Sequence, residues 1–154
     1  MNRKTILATL AGLCVGVAVC LAADAHMGTW KLNEAKSKLS PGAAKNHTVV
    51  YEAAGDSIKV TVDGVLGDGT PAHNEWTGKF DGKDYAVVGD PNSDMRAYKK
   101  VSDKAMDLTV KKDGKTTVTG KIVVAADGKS RTVTTTGTDA AGKKTTSMSV
   151  YDKQ

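Results

Sequence analysis

Cysteine occurs at only two positions, Cys14 and Cys20, both near the start of this 154-residue chain. Small exported domains often brace a thin core with disulfides. From residue 21 onward this chain has no such brace and must be held by burial and backbone pairing. Aromatic residues are also scarce, at 5%, which leaves few large side chains to fill an interior. Histidines number three, His26, His47 and His73, and no Gly-x-Ser-x-Gly elbow is present. A Ser–His hydrolytic arrangement therefore has no foothold, and the many threonines are what strand propensity calls for. Paired carboxylates for glycoside cleavage are not evident: Asp81, Asp113 and Asp127 belong to turns, while Glu52 and Glu75 fall on outward strand positions.

Asp90-Pro91-Asn92-Ser93-Asp94 begins like a calcium loop. Met95 then stands where glycine is required and Val101 where the bidentate glutamate belongs, so the segment reads as a turn. A terminal His26 with His47 or His73 is the one copper-binding arrangement with a chemical basis. An exposed first residue and two strand-edge residues explain the same histidines more simply. No catalytic residue, metal site or cofactor is expected. The net charge of +5 is dispersed in pairs such as Lys99-Lys100, Lys111-Lys112 and Lys143-Lys144. Without aromatics interleaved among them, these point to solubility and edge protection and to no nucleic-acid partner.

What is present begins with a leader. Arg3 and Lys4 precede a run from Thr5 to Ala23 that is apolar or small throughout, and Ala23-Asp24-Ala25 supplies an A-x-A site before His26. The pattern predicts a cleaved signal peptide over residues 1–25, since the apolar run is borderline in length for a membrane anchor. The expected product is exported, periplasmic or extracellular, monomeric, and without an integral membrane span after cleavage. Residues 26–154 are long enough for one domain with a genuine core.

Beyond Gly28 the dominant period is two. Ile58, Val60 and Val62 alternate with polar residues, as do Trp76, Gly78 and Phe80, Leu108 and Val110, and Val118, Gly120, Ile122 and Val124; Met148 and Val150 close the series. This is the pattern of strands with one buried face. Turn residues divide the chain into about ten strands, near 28–33, 47–53, 57–63, 72–80, 84–88, 95–101, 105–111, 116–124, 130–138 and 144–151. Asp81-Gly82-Lys83, Asp113-Gly114-Lys115 and Asp127-Gly128-Lys129 carry the residues that a tight type I′ turn needs. The expectation is an all-β fold, an up-and-down antiparallel β-barrel. The stretch from Asn33 to Asn46 is the exception: Glu34-Ala35-Lys36-Ser37-Lys38 suits either a turn or two of helix, ended by Pro41 and Gly42, or an irregular loop.

Gly28-Thr29-Trp30 opens the first strand, and a Gly-x-Trp at that place resembles the lipocalins and the wider calycin group. The longer string from Gly28 to Lys38, and the closing stretches Thr132 to Gly137 and Val150 to Gln154, are similar to uncharacterised bacterial exported proteins described as lipocalin-like. The resemblance implies a lipocalin-like barrel whose tryptophan packs across the floor, and an interior that carries a small hydrophobic ligand. Trp30, Tyr51, Trp76 and Phe80 are then the candidate ligand-binding residues, with Ile58, Val60, Leu108, Ile122 and Val133 as aliphatic lining. Gly78 and Gly120 fall on the inner face and would leave room beside the tryptophans. The alternative is a barrel filled by its own side chains, a structural or interaction module of the cell envelope with no internal ligand. An interior well below ~300 Å³ would favour it.

Overall fold

The computed structural model describes residues 24–139 and 141–154; the leader expected over 1–25 therefore lies outside the described residues except for Asp24 and Ala25. Ten strands follow one another: β1 (Gly28–Leu32), β2 (Lys45–Ala54), β3 (Ser57–Val65), β4 (Pro71–Gly78), β5 (Tyr85–Val88), β6 (Met95–Ser102), β7 (Ala105–Lys112), β8 (Lys115–Val124), β9 (Ser130–Thr138) and β10 (Lys144–Lys153). Each pairs antiparallel with its neighbours in sequence, and β1 pairs with β10 to close the sheet. The fold is the expected all-β, up-and-down antiparallel barrel, closed on itself. Closure leaves no free sheet edge, the main hazard of an isolated antiparallel sheet.

Loop length decides the turn chemistry. The β7–β8 hairpin has two linking residues, so both must be left-handed, and they are: Asp113 has φ 50° and Gly114 φ 74°. That is the expected type I′ geometry. The other two Asp-Gly-Lys triplets differ, because their connections are longer. Between β8 and β9 the Gly128 amide donates to Ala125 O at 2.9 Å, and Gly128 alone is left-handed, at φ 71°. A type I turn followed by a glycine relieves a five-residue loop in this way. Asp81 lies in the link from β4 to β5, where its carboxylate accepts from the Lys83 amide at 3.0 Å and from the Tyr85 hydroxyl at 2.9 Å.

Between β1 and β2 the chain makes one 3-10 turn, Glu34–Lys36, capped by Asn33, whose side chain accepts from the Lys36 amide. It then runs beside β10, where the Lys38 and Met148 amides and carbonyls exchange hydrogen bonds at 2.7 and 2.8 Å. The 3-10 turn packs against β10. This arrangement corrects one expectation. The inner face of β10 is Ser147, Ser149 and Tyr151, which line the interior, so Met148 and Val150 point outward. They remain half-buried, which is why their hydrophobicity reads as a core face.

Gly78 also plays a different part from the one its position suggests. A Cβ there would stand 2.5 Å from Tyr85 Cγ and 2.7 Å from Trp76 Cζ2. The missing side chain is occupied by rings and leaves no room beside the tryptophan. Gly120 likewise faces backbone, with Thr134 O 2.8 Å from such a Cβ. Because neither ring at Gly78 can move without disturbing the core, Gly78→Ala is expected to lower stability by about 1–3 kcal/mol. Urea unfolding read by tryptophan fluorescence checks this; a midpoint equal to that of the parent protein would show that the rings yield freely.

Candidate functional site

Successive connections alternate between the two ends of an up-and-down barrel. At one end lie residues 33–44, 66–70, 89–94, the turn at 113–114 and the link between β9 and β10; at the other lie the turns at 55–56, 79–84, 103–104 and 125–129, with the N-terminal residues 24–27. A cavity of about 560 Å³ enters from the first end, between Leu39–Ala44, Leu66, Asp90, Asn92, Ser93 and Asp139. Inward positions of eight strands, all but β1 and β5, wall it. Val49, Val62, Leu108, Val110, Ile122 and Val133 give an aliphatic belt, and Thr135, Thr145, Ser147 and Ser149 give one hydroxyl-bearing side. The volume lies within the usual span for small-molecule sites.

The second end is plugged by aromatics. Trp76 stacks on Phe80 with centroids 6.5 Å apart and planes 14° apart, and Tyr98 meets Trp76 edge-on at 4.8 Å. Tyr51, Tyr85 and Phe80 complete this edge-to-face group. Both indole N–H groups are satisfied: Trp30 Nε1 donates to His26 O at 2.9 Å and Trp76 Nε1 to Arg96 O at 2.8 Å. Asp24 to Met27 close the floor from below. Asp24 accepts from Lys100 Nζ at 2.7 Å, and His26 is fully buried with its ring edge toward Phe80.

Two arginines line the cavity, Arg96 beside the loop at its mouth and Arg131 at its base. Arg96 donates to Asn74 Oδ1 at 3.2 Å and stands 3.6 Å from Asp90 Oδ2. Asp90 is held in turn by the Asn92 amide and the Ser93 hydroxyl. Arg131 is 2% exposed, and its Nε and Nη1 have no hydrogen-bond partner among the described residues. Its guanidinium carbon lies 4.7 Å from the centroid of Trp30, 4.9 Å from Tyr51 and 5.0 Å from Tyr151. Burial pushes the Tyr151 phenol up to about 12, against the opposing pull of Arg131. Burial likewise raises Tyr98, with Tyr51 adding and Arg96 opposing.

Among the four candidate ligand-binding residues, Tyr51 lines the cavity, whereas Trp30, Trp76 and Phe80 lie in the plug beneath it. Leu108, Ile122 and Val133 line it too; Ile58 and Val60 pack in the core below. Arg96 and Arg131 escaped the sequence reading although the alternation reaches both. Arg96 is two residues before the inward Tyr98, and Arg131 two before the inward Val133. His47 is exposed near Glu34, and the His73 Nδ1 to Asp63 pair, at 2.6 Å, is on the outer surface. Among the described residues no three His, Cys, Asp or Glu side chains gather as a metal site.

No family model matches the chain, and no curated protein does. Among solved structures, EF1p2_mFAP2b bound to DFHBI is similar to it at 13% identity and a TM-score of 0.49, over 86% of this chain and 97% of that one.

The floor makes stability depend on pH. Burial is the main cause that lowers the His26 imidazole from 6.5 to about 4; Asp24 opposes it, and Arg131, Lys100 and Lys153 add to it. Between those two values the unfolded chain takes up a proton that the folded one refuses, so stability falls as pH drops from 6.5 toward 4. The loss attributable to this residue is on the order of 2–3 kcal/mol. His26→Leu should flatten the slope of unfolding free energy over that range, measured by urea titration at several pH values. An unchanged slope would place His26 outside the linkage.

Proposed function

We propose that this chain is an exported, monomeric, non-enzymatic barrel protein that holds or carries a small hydrophobic ligand. The observation that carries this reading is the cavity of about 560 Å³, open at one end and walled by an aliphatic belt. A filled-core module would have closed both ends with side chains. Here the seven aromatics (Trp30, Tyr51, Trp76, Phe80, Tyr85, Tyr98 and Tyr151) are all committed to one end or its border, which supports a vessel with a floor. The leader pattern at Arg3, Lys4 and Ala23-Asp24-Ala25 supports export to a periplasmic or extracellular location. Cleavage after Ala25 leaves His26 and Met27 to close the floor, through the Trp30 bond to His26 O and the packing of Met27.

Binding of the neutral dye N-phenyl-1-naphthylamine tests the reading. Fluorescence should rise on mixing and saturate at micromolar dye. Leu108→Trp, which places a large ring in the aliphatic belt, should weaken binding at least tenfold while leaving the cooperative urea transition in place. A native mass spectrum of protein purified from its own source should also retain a co-purifying small molecule. Absence of dye binding together with a clean apo mass would remove the carrier reading in favour of a filled or surface-binding module.

A further inference from the structure

The arginine at the base of the cavity has more donors than the protein satisfies. A guanidinium offers five N–H groups in a planar fork and stays charged at any pH a protein survives. Moving such a group out of water costs several kcal/mol unless its charge is paired and its donors are bonded. Contact with the rings of Trp30, Tyr51 and Tyr151 returns part of that through cation–π attraction. The rings bond none of the in-plane N–H groups. Among the described residues Arg131 Nε and Nη1 have no partner, and Arg131 takes part in none of the ion pairs.

Its setting differs from that of the neighbouring arginine. Arg96 already has Asp90 and Asn74, whereas Arg131 lines the cavity directly. The surroundings are positive as well. Lys153 Nζ lies 5.1 Å from the Trp30 centroid, and His26 beneath is held neutral partly by the nearby cations. Among the described residues the only acids lining the cavity, Asp90 and Asp139, belong to the loops at its mouth. A hydroxyl-bearing strip formed by Ser147 and Ser149 leads down to Tyr151 beside the guanidinium.

We infer that Arg131 is the seat for the head group of an anionic amphiphile, a molecule with one carboxylate and an apolar body. The carboxylate accepts from the planar N–H fork at the base, and the apolar body lies along Val62, Leu108, Val110, Ile122 and Val133. Planar two-point pairing is the geometry that guanidinium and carboxylate share. The inference rests on the carrier reading above and narrows it from any hydrophobic ligand to one of defined charge and orientation.

Dodecanoate and dodecanol, which share an apolar chain and differ in the head group, test it by calorimetry. The protein is expected to bind dodecanoate at least tenfold more tightly than dodecanol. Arg131→Gln should abolish that preference, while Arg96→Gln should preserve it. Equal affinities in the parent protein, or a preference that survives Arg131→Gln, would overturn the inference. If Arg131→Gln fails to fold, the parent protein still decides. The Nε resonance of Arg131 should shift on titration with dodecanoate and hold still with dodecanol, and no shift at saturating dodecanoate is refutation. Should N-phenyl-1-naphthylamine bind and dodecanoate show no advantage, the charge assignment alone falls. If neither the dye nor either dodecyl compound binds, the carrier reading falls and takes this inference with it.

Discussion

The Arg131 guanidinium is packed among three rings that come from three different strands: Trp30 of β1, Tyr51 of β2 and Tyr151 of β10. Arg131 itself belongs to β9, so one cation ties together the four strands flanking the place where the barrel closes. That seam joins the first strand to the last and is short, with Trp30, Lys31 and Leu32 opposite Lys153, Asp152 and Tyr151. A closure of such high sequence separation forms against a large loop entropy. Burial of Trp30 and Tyr151, together with their contact to the cation, holds it. The Trp30 indole then fixes the N-terminal segment through His26 O, and the floor follows.

Placing the aromatics at the closed end has a consequence for the open one. Large rings pack well in a tapering plug, where edge-to-face contacts add to burial. The same residues spread along the barrel would have filled it. With the plug complete, the upper half is walled by Val, Leu, Ile and Thr side chains, too short to meet across the centre. The cavity is thus the remainder after a small set of rings has been used at one end. Its base inherits the chemistry of the plug's upper surface, namely Tyr51, Tyr98, Tyr151 and Arg131.

Much of the fold was legible in the residues themselves. All ten strands fall within two residues of the boundaries that period-two alternation and turn residues indicate, because each hairpin is a local decision. Turn type was less legible, since an Asp-Gly pair adopts the I′ geometry only where two residues must span the gap, as at Asp113-Gly114. Met148 and Val150 misled for a related reason: a half-buried outward face beside the 3-10 turn at Glu34–Lys36 has the hydrophobicity of an inward one. Gly78, which the alternation presents as room, is the space that Tyr85 and Trp76 fill. A missing side chain in a strand says that something approaches closely and not what approaches.

Period-two alternation by itself determined an up-and-down barrel and the phase of most of its inner faces, because backbone pairing and hairpin turns are encoded over a few residues. The heights at which those faces meet were decided only in three dimensions. Trp30, Trp76 and Phe80 belong to the floor and Tyr51 to the cavity, although all four share the same inward phase. Strand stagger around a closed sheet brings residues 30, 51, 131 and 151 to one level, and no pattern within a single strand records that stagger. The buried charge at the base of the cavity is a product of that long-range register.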